Sequence, residues 1–105
     1  MMRWIVMVLL IAGVAFAAEK KDEKGTVHIK DLKYDPKELK IKAGETVTWV
    51  NDDDKDHTIE SDDKSFDASP DLSHGEKYKF MFKKKGKYAY HCKYHPREKG
   101  MIIVE

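Results

Sequence analysis

The chain has 105 residues, a single cysteine, and 20 basic side chains against 19 acidic ones, for a net charge of +1 with histidine neutral. That length holds one small domain, and the lone cysteine excludes an internal disulfide. The near-neutral balance gives no basis for a nucleic-acid partner. Arg3 and the apolar run 4–14, followed by Ala15-Phe16-Ala17, fit an export leader cleaved after Ala17 or one residue later, leaving residues 18–105 as the domain. The run is too short to span a bilayer comfortably, so cleavage is preferred over an uncleaved membrane anchor, and no stable membrane insertion is expected afterwards. No cysteine lies at the cleavage site, which argues against a lipid anchor. The expected location is therefore periplasmic or secreted. In an oxidising compartment a small domain usually needs a disulfide or a metal, and Cys92 reads most naturally as a metal ligand.

Val27 and Ile29 alternate with Thr26, His28 and Lys30, the period-two pattern of a half-buried strand. Asp35-Pro36 marks a turn, Leu39 and Ile41 alternate with Lys40 and Lys42, and Ala43-Gly44-Glu45 turns the chain again. Thr46-Val47-Thr48-Trp49-Val50 is β-branched and aromatic, a third strand. An acidic loop follows at 51–56. Extended chain resumes at His57-Thr58-Ile59-Glu60, and 61–71 is rich in turn residues. Lys77-Tyr78-Lys79-Phe80-Met81-Phe82 alternates with its aromatics on one face, and further strands are predicted at 87–92 and 101–104.

Six or seven short strands with turn signals between them predict an all-β fold, an antiparallel β-sandwich. Its expected core is Val27, Ile29, Leu32, Leu39, Ile41, Val47, Trp49, Ile59, Phe66, Tyr78, Phe80, Phe82, Tyr88, Tyr90, Ile102 and Val104. Charge is segregated along the chain. Asp52, Asp53, Asp54 and Asp56 begin an acidic middle, while Lys83, Lys84, Lys85, Lys87, Lys93, Arg97 and Lys99 make the C-terminal third basic. Such a dipole can steer a charged partner, although ordinary solvated faces account for it equally well.

Cys92 and His95 stand three positions apart after an aromatic strand, and His57 opens another strand able to reach the same end of a sandwich. Taken singly, His57 reads as a surface histidine and Cys92 as a small buried hydrophobe. Taken together they make a set of two imidazoles and one thiolate, which suits copper; zinc accepts the same types, but its structural sites usually carry more cysteines at short spacing. His91 precedes Cys92 on a strand and faces the other way. His28 and His74 fit a strand surface and a turn.

The chain resembles the small cupredoxins of the amicyanin, plastocyanin and pseudoazurin group. The resemblance rests on Tyr34-Asp35-Pro36, the stretch 39–51, His57-Thr58-Ile59, Ser65-Phe66-Asp67, the stretch 86–92 and His95-Pro96. It implies a Greek-key antiparallel β-sandwich binding one copper ion through His57, Cys92 and His95, with Thr58 behind the first histidine. In that group a methionine two residues before a glycine supplies the axial ligand. Here Glu98 stands two before Gly100, and Met101 follows it. Because Ile102 and Val104 alternate inward, Met101 needs a shifted register to reach the site, so Glu98 is preferred over Met101; water or an open axial position is the third possibility. A carboxylate oxygen is harder than a thioether and favours Cu(II), lowering the potential and moving the colour from blue toward green or red.

The leading functional expectation is a one-electron carrier, not an enzyme, exposing His95 to a redox partner. Lys93, Arg97 and Lys99 around it imply an acidic docking surface on that partner. A monomer is expected. The alternative is a copper carrier or storage protein without an electron-transfer role.

Overall fold

A computed structural model describes residues 25–105 as eight strands, with no helix among them. The predicted leader at 1–17 and the first residues of the domain lie outside the described residues. The strands are β1 (Thr26–Lys30), β2 (Lys33–Asp35), β3 (Glu38–Ile41), β4 (Thr46–Asn51), β5 (Glu60–Ser61), β6 (Lys77–Met81), β7 (Gly86–His91) and β8 (Lys99–Val104). They form two four-stranded sheets, ordered β2-β1-β4-β6 and β3-β8-β7-β5.

The expected sandwich is what forms, and each sheet contains one parallel pair within it: β1 with β4, and β3 with β8. Period-two alternation reports which face of a strand is buried and carries no information on strand direction. The chain leaves the first sheet after β2, contributes β3 to the second and returns as β4, which brings β4 beside β1 in the same direction.

Inward positions follow the alternation. Val27 and Ile29 on β1, Val47 and Trp49 on β4, Tyr90 on β7, and Ile102 and Val104 on β8 are buried. Trp49 is the hub, with Tyr90 edge-on at 5.5 Å between ring centroids and Tyr78 at 5.9 Å. Large-to-small changes at such a position cost about 3–5 kcal/mol. Gly100 on β8 lies opposite Tyr90, and a Cβ there would collide with the Tyr90 ring. The absent side chain is what allows that ring to lie across β8. In the turn after β3, Glu45 N–H donates to Lys42 O at 3.0 Å while Gly44 takes φ +94°, the left-handed position of a type II turn.

Three sequence expectations change. Leu32 is exposed rather than in the core, because Asp31 and Leu32 both take positive φ (54° and 60°) and form the tip of the β1–β2 hairpin. Tyr34, read beside a turn, lies on β2 and is buried, as is Leu72. The strand expected at His57 forms a ladder only at Glu60–Ser61. Before that, side chains satisfy the backbone: Tyr34 OH donates to Thr58 O at 2.6 Å, and Ile59 N–H donates to Ser69 Oγ at 2.9 Å. His57 makes an isolated bridge with Leu72.

Candidate metal centre

Cys92 follows β7 directly, and the loop to β8 is two consecutive tight turns. His95 N–H donates to Cys92 O at 3.3 Å, and Glu98 N–H to His95 O at 2.8 Å. Cys92 N–H closes the base on Glu98 O at 3.2 Å. Side chains three apart in such turns eclipse one another, so Cys92, His95 and Glu98 fall on one side of the loop.

His57 arrives from the connection between β4 and β5. Asn51 continues the inward alternation of β4, so a polar amide enters the rim of the core and must be satisfied there. Its Nδ2 donates to Lys55 O at 2.9 Å and Leu72 O at 2.8 Å, and its Oδ1 accepts from Asp53 N–H at 2.8 Å. This folds the 51–56 loop back and delivers a fully buried His57. Thr58 turns its hydroxyl to the loop, accepting from Lys93 N–H at 3.0 Å and lying 3.9 Å from Cys92 Sγ.

One donor atom from each of His57, Cys92, His95 and Glu98 lies within 4.8 Å of the other three. Glu98 Oε1 is 2.9 Å from His57 Nδ1 and 3.2 Å from His95 Nδ1, and Cys92 Sγ is 3.5 Å from His95 Nδ1. Ligands at about 2.0–2.3 Å from a shared ion in a tetrahedral arrangement are separated by about 3.3–3.8 Å, and the observed spacings surround that range. His57 and Cys92 are buried, and only the His95 side chain, 25% exposed, reaches solvent. Met101 lies on β8 between the inward Gly100 and Ile102, which places its side chain on the outer face. His28, His74 and His91 stay outside the cluster, on Asp52, the Asp53 carbonyl and Asp62 respectively.

Burial raises the pKa of Glu98 above the ordinary carboxylate range, against the opposing pull of His57 and His95. Its Oε2 is buried without a hydrogen-bond partner. An orphaned carboxylate oxygen is costly unless a cation shares the pocket. Asp53 escaped sequence reading. Its Oδ2 lies 2.9 Å from His57 Nε2. Desolvation works to raise the Asp53 pKa, but hydrogen bonds from His57 and from the Leu32 and Asp54 N–H groups, with the His57 charge, hold it below the ordinary value. In the sequence it is masked by the acidic run around it.

The cupredoxin-like domain family matches residues 2–104. The chain belongs to the cupredoxin family. This cupredoxin is 33% identical to amicyanin of Paracoccus denitrificans over 93 residues, covering 85% of this chain and 71% of the relative. It is 37% identical to plastocyanin of Scenedesmus fuscus over 86 residues, covering 70% and 88%. Among solved structures, a purple cupredoxin from Nitrosopumilus maritimus superposes with a TM-score of 0.74 at 32% identity, covering 77% of this chain and 99% of that one. Cupredoxins bind one copper ion, and the donor set here fits it: a thiolate and two imidazoles suit copper, and the unpartnered Glu98 Oε2 marks the same pocket as built for a cation.

Proposed function

We propose that this cupredoxin is an exported one-electron carrier holding copper through His57 Nδ1, Cys92 Sγ and His95 Nδ1, with Glu98 rather than Met101 at the axial position. The observation that carries this reading is the convergence of those four donor atoms within 4.8 Å at the edge of the sandwich. Bound copper supplies a Cu(II)/Cu(I) couple. The chain's own residues supply the rest. Thr58 and the paired turns fix the thiolate and His95, and the buried faces of His57 and Glu98 keep water from the inner side. His95 provides the solvent-facing edge.

Around His95 a shallow cleft is lined by Leu32, Tyr94 and Pro96, with Lys33 and Arg97 at its rim. Leu32 and Tyr94 are among the few large hydrophobics exposed in the described residues. Lys93 is partly neutralised by Asp71 at 3.7 Å, so Lys33, Arg97 and Lys99 carry the attraction for an acidic partner. Its encounter rate should fall as salt rises.

Visible and EPR spectra of the copper-loaded protein test the site. A thiolate-to-copper band that disappears in Cys92→Ser is expected. Glu98→Met should turn the colour toward blue and raise the potential; unchanged absorption and potential in that variant would sink the axial role of Glu98. Fast electron self-exchange separates the carrier from a storage protein, which would instead pass copper to a copper-free acceptor. Export after Ala17 is checked by sequencing the N-terminus of protein recovered from the periplasm or medium.

A further inference from the structure

The geometry points to Asp53 as the residue that orients His57 and sets its donor strength toward copper. The inference rests on the reading above, in which His57 binds through Nδ1. Asp53 Oδ2 lies 2.9 Å from His57 Nε2, across the ring from the Nδ1 that meets Glu98. Glu98 Oε1 lies equally close to Nδ1, at 2.9 Å, but with Nδ1 given to the metal the one ring proton must sit on Nε2, where the Asp53 carboxylate, which can only accept, holds it. A carboxylate behind a metal-binding imidazole also makes the ring a stronger donor than a neutral acceptor would. The extra negative charge stabilises Cu(II) over Cu(I) and lowers the potential.

Asp53 is held for this task from several directions. Its own N–H donates to Asn51 Oδ1 at 2.8 Å. Oδ1 accepts from Asp54 N–H at 3.2 Å, and Oδ2 accepts from Leu32 N–H at 3.2 Å as well as from His57. His74 Nδ1 meets the Asp53 carbonyl at 3.1 Å. The Leu32 contact accounts for a feature the fold leaves open. Leucine rarely takes positive φ, yet the hairpin tip adopts it at Leu32, and the turn aims that N–H at Asp53. Neighbouring Asp54 is exposed, and the His57 ring nitrogens meet Asp53 and Glu98 instead, which makes Asp54 a control of equal charge.

The test compares copper-loaded wild type, Asp53→Asn, Asp53→Ala and Asp54→Asn. Asp53→Ala should lower Cu(II) affinity about 10- to 100-fold, with Asp53→Asn between it and wild type. Each tenfold loss confined to Cu(II) raises the potential by about 59 mV. In the diamagnetic Cu(I) form, nitrogen-15 NMR should find His57 protonated at Nε2, with a proton slow to exchange in wild type and fast in Asp53→Ala. Asp54→Asn should match wild type in all three. Potentials for both Asp53 variants equal to that of Asp54→Asn, with the thiolate band intact, overturn the role of Asp53 and leave the copper site standing. A wild-type protein without that band removes the site, and this role with it. Asp53→Asn keeps the shape of the side chain, so it tests the charge even where Asp53→Ala fails to fold.

Discussion

Cys92, His95 and Glu98 come from one loop closed by its own backbone, whereas His57 is set by groups gathered from distant parts of the chain. The loop needs only two tight turns and the pairing of β7 with β8. The His57 side needs the Asn51 amide, the Leu72 backbone, Ser69 beneath Ile59 and Tyr34 against Thr58. Local geometry therefore places most of the donors, and tertiary structure places the remaining one. The loop should tolerate damage elsewhere in the fold, while the His57 side should report it.

The hardest test of this contrast is Asn51→Ala. It removes donors to Lys55 O and Leu72 O and the acceptor for Asp53 N–H, all at a buried position. A loss of about 2–4 kcal/mol in urea unfolding is expected, with the copper spectrum disturbed through His57. On the loop side, Gly100→Ala forces the Tyr90 ring aside and should cost about 1–3 kcal/mol. A milder change, Tyr34→Phe, takes the donor from Thr58 O and should cost about 1–2 kcal/mol by the same unfolding measurement. If Asn51→Ala proves milder than Tyr34→Phe, the His57 side is not organised around Asn51.

Much of this was legible in the residues. Alternation located β1, β3, β4, β6, β7 and β8, and the resemblance to the small cupredoxins, with their methionine two residues before a glycine, picked out Glu98, the acid that the loop folds inward. β2 was hidden because three residues before a proline carry too little period to separate strand from turn. Leu32 misled because hydrophobicity says nothing of a backbone held at positive φ. Asp53 looked like one more solvated acid, and nothing in an acidic run distinguishes the member that a distant N–H and an imidazole will claim. What could be read was local and periodic. What could not was a side chain meeting a group far along the chain.

The smallest expected effect lies just past β5. The Ser65 and Ser61 hydroxyls and the Ser65 N–H hold the Asp63 pKa below its ordinary 3.8. A pKa depressed by folding contributes stability above the unfolded value and loses it as pH falls through the folded one. Urea midpoints of wild type and Asp63→Asn should therefore differ at about pH 6 and converge at about pH 2. A difference that persists in acid would assign the effect to shape rather than charge.

The pairing of Glu38 with Met101 has a consequence for how the protein is made. β3 touches no other strand of its sheet, so that sheet stays open until β8 has been synthesised and has slotted between β3 and β7. Contacts of such long sequence separation close late. The Cys92–Glu98 loop, anchored at one end by β8, cannot take its final shape before then. On the proposed site, metal capture would therefore wait until β8 is in place: before that Cys92 is a bare thiol with no pocket around it, and loading would report that the second sheet has closed.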